Sequence, residues 1–314
     1  MTTEHFHEGE LRLQEQTGDR EKIAVMTRHL MHDFMPEQHR AFFEGLEYIF
    51  LGTVDAKGLP HASIVTGPLG FAFSPDPKTL VIQTGARAGK PAFEALALGQ
   101  AVGVVGLDLS NQRRNRMHGK VTAIDDGSVT ITVVQSYGNC PKYINLREIS
   151  EREHPIAEGE VEERDVLNAY DTSLIKAADT FLIASYVQDG SGAPYEGVDV
   201  NHRGGQPGFV SVDGPSQITI PDYRGNNLFN TFGNLLLNPD AGLLFIDFDT
   251  GDQLHLHGKA SLIQNAEEVA QTPGALRLLR IQINSVRRVT KAMSLRWSFV
   301  EHSPVNPDLT PEKE

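Results

Sequence analysis

The sequence predicts a mainly β protein with flanking helices (α+β), built as two tandem copies of one small barrel domain. Three observations predict it: collinear internal repeats, short apolar runs bounded by turn residues, and no fingerprint of a nucleotide-binding α/β sheet. Sliding the chain on itself matches YIFLGTVDAKGLPHASIV (48–65) with LIASYVQDGSGAPYEGVD (182–199), a shift of 134. GFAF (70–73) then matches GFVS (208–211), and LVI (80–82) matches ITI (218–220), both at 138. LDLSNQRRNRMHGK (107–120) matches IDFDTGDQLHLHGK (246–259) at 139, and SYGNCPKYINLR (136–147) matches SVRRVTKAMSLR (285–296) at 149. The blocks keep their order and the shift changes only at loops. An internal duplication follows.

Each copy reads as strands. Asp-Ala-Lys-Gly (55–58) and Gln-Asp-Gly-Ser-Gly (188–192) are hairpin turns between apolar runs. AVGVVGLDL (101–109) and AGLLFIDFD (241–249) are nearly continuous apolar runs, as strands buried on both faces require. QLHLHGKASLI (253–263) alternates, so one face points inward. Helices are expected at 21–34 and 37–46, with Pro36 as the break between them. A further helix over 165–180 would be capped by Asp165. Short helices at 93–99 and 230–238 occupy equivalent places in the two copies. The domains expected are an N-terminal helical or disordered extension (1–36), a first barrel (37–148), a charged linker (149–164), a second barrel (165–302) and a tail (303–314).

Composition narrows the function. The net charge of −13 disfavours nucleic acid, which needs clustered cations. Arg113, Arg114 and Arg116, like Arg287, Arg288 and Lys291, read as solvated strand ends. An acidic chain with local cations suits a small anionic ligand. No apolar stretch approaches the length of a membrane span, and the polar N-terminus is no secretory signal. One cysteine, Cys140, excludes an internal disulfide framework, so a cytoplasmic setting is expected.

Three segments carry candidate chemistry. VIQTGARAGKPAFEALALG (81–99) and TIPDYRGNNLFNTFGNLLLNP (219–239) both place an arginine in a Gly-containing turn before a helix. Such a turn offers backbone N–H groups, a helix dipole and a guanidinium to one anion. The groups concerned are Thr84, Arg87 and Lys90 in the first copy, and Arg224, Asn226, Asn227, Asn230 and Thr231 in the second. VDVNHRGGQPGFVSV (198–212) adds His202 and Arg203 before glycines that let a planar ligand approach the backbone. The first copy has no basic residue there. QSYGNCPKYINLR (135–147) adds Asn139, Lys142 and Tyr143 as donors. Cys140 has no neighbouring histidine in sequence and reads as structural. The histidines are scattered, and the pair His255 and His257 falls short of a metal site.

These segments resemble the pyridoxamine 5′-phosphate oxidase-like FMN-binding split-barrel family, in its form with two barrels per chain. The likeness covers about residues 40–300 and rests on DAKGLPHAS (55–63), VDVNHRGGQPGFV (198–210), PDYRGNNLFNTFGNLLLNP (221–239), LHLHGKA (254–260) and QSYGNCPKYI (135–144). It implies FMN between two barrels, its phosphate on Arg224, Asn226, Asn227, Asn230 and Thr231, and the flavin faced by His202 and Arg203. It also implies flavin-mediated redox of a small-molecule substrate with NADH or NADPH as donor, no nucleic-acid or membrane partner, and a homodimer. The strand carrying the oxidase's Arg-x-Val-x-Leu-Lys motif is YEGVDVNH (195–202) here, and the closing Arg-x-His-x-Arg segment is missing, so a vitamin B6 phosphate is not the expected substrate. A flavin carrier or sensor without turnover, and a barrel that binds no flavin, are the competing readings.

Overall fold

The computed structural model describes residues 5–83, 96–152 and 159–309. In the first copy, β1 (Tyr48–Val54), β2 (Pro60–Thr66), β3 (Ala72–Phe73), β4 (Thr79–Gln83), β5 (Ala101–Asp108), β6 (Arg113–Asp125) and β7 (Ser128–Gly138) form an antiparallel sheet. Its order is β2-β1-β5-β6-β7-β4-β3. After β8 (Leu146–Arg152) and β9 (Val161–Arg164), the second copy runs through β10 (Thr180–Val187), β11 (Gly197–Gly204), β12 (Ser211–Gly214), β13 (Gln217–Asp222), β14 (Asp240–Ile246), β15 (Gln253–Ile263) and β16 (Arg277–Val289). Its order is β11-β10-β14-β15-β16-β13-β12, the same path strand for strand, with β9 added beside β16. The last strand, β17 (Leu295–Glu301), pairs with β8 and so ties the end of one copy to the end of the other.

The pairing registers refine the repeat. Gly103 faces His118 as Gly242 faces His257, a shift of 139, as the sequence predicts. Gly52 opposite Gly103 corresponds to Ala184 opposite Gly242, so the first strands are related by 132 rather than 134. Ala62 then corresponds to Val200, at 138. The second hairpin is the reason: 11 residues lie between the paired Tyr186 and Val198, against five between Val54 and Pro60. The extra length sits in the loop, where insertion costs little. The correction from 134 to 132 is two residues, so it leaves unchanged which face each residue of β1 is matched to. Both long hairpins also carry a β-bulge at the same place, between His118 and Gly119 and between His257 and Gly258.

The two sheets pack face to face around a pseudo-twofold axis. β11 lies on β5 and β6, as β2 lies on β14 and β15. The apolar seam includes Tyr48, Phe50, Ile64, Val105, Leu182, Val200, Leu244 and Trp297. Backbones approach closely there. A Cβ on Gly103 would stand 2.5 Å from the Val198 carbonyl oxygen, and one on Gly242 would stand 2.0 Å from that of Pro60. These two symmetry-related glycines are what lets the halves meet. Each half also has its own core, around Phe43, Leu51, Leu80 and Ile131 in one and Phe181, Phe245, Ile220 and Ile281 in the other.

Four expectations need correction. The stretch 149–164 is strand at both described ends, because β8 pairs β17 and β9 pairs β16, so it does not hang free between domains. The helix expected at 165–180 is α4 (Ala169–Ala177), capped by Asn168 accepting from the Asp171 amide, not by Asp165. The N-terminal extension consists of α1 (Glu8–Gln16) and α2 (Arg20–Leu30), shorter than the expected 21–34, followed by α3 (Glu37–Glu44) after Pro36. This extension docks on the second copy's helix α5 (Asn230–Leu237). The contact is tight: a Cβ on Gly9 would fall 2.2 Å from the Gly233 carbonyl oxygen. Thr84, Arg87 and Lys90 lie on 84–95, outside the described residues, as do residues 93–95 of the helix expected at 93–99; its described part, 96–99, is an irregular segment and turn leading into β5, not helix.

Candidate functional site

One cleft collects nine of the ten second-copy and crossing residues singled out from the sequence. His202, Arg203, Asn226, Asn227, Asn230, Thr231, Asn139, Lys142 and Tyr143 all line it. Arg224 does not; its side chain is exposed and its carbonyl accepts from the Tyr143 hydroxyl at 3.0 Å. The cleft lies between the copies, with β11 and the β13–α5 loop on one side and β6 and the loop after β7 on the other. Its volume is about 120 Å³.

Two residues read as a solvated strand end, Arg114 and Arg116, turn out to form its floor. Strand periodicity explains it: 114 and 116 share one face of β6, and that face meets the other barrel. Arg113, on the opposite face, is exposed and donates to the Gln38 carbonyl. The alternation was the available signal, and only the partner surface could show that the face is covered.

The cations of the cleft are not equally compensated. Arg116 pairs with Asp199 at 2.5 Å and donates to Asn230 Oδ1 at 3.0 Å. Arg203 pairs with Asp222 at 3.3 Å, an acid that also takes Arg277 at 3.1 Å, and its guanidinium lies 4.6 Å from the Phe232 ring centre. Arg114 has no carboxylate. Its Nη2 donates to the Cys140 carbonyl at 2.7 Å, its Nη1 reaches His202 Nδ1 at 3.4 Å, and its Nε has no partner. Burial and the neighbouring Arg116 and Arg203 press its pKa down to about 10, so it remains charged at neutral pH. Lys142 also has no ion pair among the described residues.

His202 is buried, and desolvation together with Arg114 and Arg203 holds its pKa well below the ordinary value. The ring is therefore neutral. Because a guanidinium only donates, Nδ1 accepts and the proton sits on Nε2, which has no partner. Asn201 Nδ2 and Thr231 Oγ1 are likewise buried and unpartnered. The first residue before α5, Phe229, makes no side-chain cap, so the amides of that helix's first turn are open to an acceptor.

The walls of the cleft are strained. Among the described residues five non-glycines have positive φ, and three of them, Tyr143 (64°), Asn227 (57°) and Phe229 (63°), line the cleft. Such outliers gather where a binding surface fixes the backbone. Gly204 is required by the same crowding, since a Cβ there would stand 2.0 Å from the Tyr143 carbonyl oxygen.

Behind the cleft lies a polar cluster that the N-terminal helix completes. Glu10 accepts from Asn230 Nδ2 at 2.6 Å, and His7 Nε2 meets Asn234 Oδ1 at 2.8 Å. Desolvation and Asp199 raise the Glu10 pKa well above the usual carboxylate value. Cys140 lines the cleft without a bonded histidine, and the described residues contain no group of three metal-binding side chains. His257 instead stacks edge-on against His61 at 4.3 Å, and His255 bonds Gln253. No described helix is long and apolar enough to cross a membrane.

Residues 35–156 match the family model described as pyridoxamine 5′-phosphate oxidase. The match spans the first barrel. Solved structures similar to the chain include an FMN-binding protein from Syntrophomonas wolfei (13% identity, 37% of this chain and 81% of that one, TM-score 0.28). An FAD-binding protein from Mesorhizobium loti (13%, 41% and 97%, 0.28) and the HupZ protein of Group A Streptococcus (9%, 38% and 90%, 0.29) are others. No curated protein matches the chain.

Proposed function

We propose that the chain is an FMN-binding oxidoreductase of the pyridoxamine 5′-phosphate oxidase-like type, with its flavin in the cleft between the two barrels. One observation carries this reading: a half-buried guanidinium, Arg114, that has no carboxylate among the described residues and lies among unpartnered donors. A cation left uncompensated in a folded protein is costly unless an anion completes it. FMN brings a phosphate dianion, and its ring supplies the hydride or electron chemistry when bound.

The residues present fit that group. Arg114, Lys142, Thr231 and the first-turn amides of α5 would take the phosphate by charge-assisted bonds. His202 Nε2–H and Asn201 Nδ2 are neutral donors suited to carbonyl or ring-nitrogen acceptors. Arg203 is held flat against Phe232 by Asp222 and adds positive potential, which favours a reduced, anionic ring. Asn139, Asn226 and Asn227 edge the opening, and Arg224 lies outside it as a distant cation. NADH or NADPH would serve as donor to a small-molecule substrate entering through the open mouth.

The test is to purify the protein, strip it and titrate FMN by absorbance and fluorescence. Saturable binding that Arg114→Ala weakens is expected. Undiminished binding in that variant would move the phosphate elsewhere.

A further inference from the structure

The wall of the flavin cleft formed by residues 226–231 takes its shape from a segment that does not line the cleft. Within this wall Asn227 and Phe229 are both left-handed, at φ 57° and 63°, a conformation that side chains keep only where their surroundings impose it. Phe229 is fixed from one side: its ring is buried in the second barrel's core, with the Arg277 guanidinium 4.7 Å from its centre. Its neighbours are fixed from the other side, by α1 and the start of α2.

The ties run along the loop. Asn227 Nδ2 donates to Asp19 Oδ2 at 2.6 Å. Asp19 is the residue before α2, where an aspartate normally caps the helix, yet its side chain makes no capping bond. It serves the loop instead. The Leu228 carbonyl accepts from Gln14 Nε2 at 3.3 Å, and the Leu228 side chain is buried among Phe6, Ile23, Met31 and Tyr137. Asn230 Nδ2 donates to Glu10 Oε1 at 2.6 Å. His7 Nδ1 accepts from the Gly9 amide at 3.1 Å, so its proton is on Nε2 and goes to Asn234 Oδ1. Asp19, Gln14 and Glu10 do not themselves line the cleft.

We propose that the N-terminal segment is a strap, and that Asp19, Gln14 and Glu10 are positioning residues. They hold the 226–231 loop in the shape that presents the first-turn amides of α5 to an anionic ligand. That the anion is the FMN phosphate rests on the flavin reading; that the strap shapes the loop does not. Because linkage is reciprocal, a bound anion in turn tightens the strap on α5.

The unaltered protein, Asp19→Ala and Asp19→Asn are compared by hydrogen exchange without flavin and by FMN titration. Asp19→Asn keeps an oxygen to accept from Asn227, and Asp19→Ala does not. Asp19→Ala is expected to speed exchange of the 227–231 amides while the paired strands β10 and β14 keep their protection. It should also weaken FMN about tenfold, as loss of a charge-assisted bond does, while Asp19→Asn stays within about threefold of the unaltered protein. FMN should slow exchange in α1, which lies outside the cleft. Gly9→Ala, whose Cβ would push α1 off Gly233, should act as Asp19→Ala does. Unchanged loop exchange in Asp19→Ala, undiminished FMN affinity in that variant, or an Asp19→Asn as weak as Asp19→Ala would overturn the proposal. If the unaltered protein takes up no FMN, the flavin reading fails, and the exchange comparison alone decides the strap.

Discussion

The pseudo-twofold axis gives this protein two equivalent places between its barrels, and they have become opposites. On one side β11 presents Asn201, His202 and Arg203 to Arg114 and Arg116 of β6. On the other, register places Ser63, Ile64 and Val65 of β2 and Gln253 and His255 of β15 at the same positions. Ile64 and Val65 are fully buried in apolar clusters, and His255 is buried and bonded to Gln253. The first place is a cleft with uncompensated charge; among the described residues its mirror presents the apolar Ile64 and Val65 and a His255 whose pKa burial presses down to about 3. One fold therefore supports both outcomes, and among the described residues the difference lies in a handful of side chains on two strands. Apolar residues glue the halves at one place, which frees the other to carry charge that would otherwise weaken the joint.

The largest effect should come from the charge that is paired. Arg116→Ala removes a buried guanidinium and leaves the half-buried Asp199 without its cation, and should destabilise the fold by about 3 kcal/mol. Urea unfolding measures it, and a loss below about 1 kcal/mol would mean that Arg116 is not structural. Arg114→Ala should behave the other way. It should weaken FMN binding by about 1.5–3 kcal/mol while leaving the flavin-free protein as stable or more so, because it removes an uncompensated half-buried cation. A drop in both would erase the distinction between the two arginines.

A pH dependence should follow from Glu10. Its pKa is raised in the folded state, so its stabilising part is full below the ordinary carboxylate value and is lost as pH rises through the raised one. Glu10→Gln, which keeps the bond to Asn230, should therefore flatten the decline of melting temperature with rising pH above about 4.5. Parallel curves for the two proteins would show that Glu10 is not protonated there. The smallest effect is expected from Arg224→Ala, whose exposed side chain outside the cleft should change FMN affinity by less than about threefold.

Much of this was legible in the chain. Repeat blocks, turn residues and strand alternation give the β architecture and the matching strand order, because they are local signals. Nine of ten site residues converge for the same reason: the Gly- and Asn-rich turns that announce a ligand are sequence features. Arg114 and Arg116 were not legible as buried. Their strand alternates like any half-exposed strand, and only the opposite barrel covers the face they share. The role of the N-terminal segment was hidden likewise, since Gly9 and Gly233 meet across 224 residues. Hairpin length misled the alignment by two residues, a loop property that a pattern of strand residues does not encode.

The asymmetry between the two inter-barrel places is tested most directly by stoichiometry. Flavin-free protein titrated with FMN, followed by flavin fluorescence and calorimetry, should saturate at about one tight site per chain. Arg114→Ala should weaken that site, and substitution of Gln253 in the mirrored place should leave it unchanged. Two equivalent tight sites per chain would contradict the account, because a face carrying Ile64 and Val65 in place of His202 and Arg203 would then be holding a second flavin.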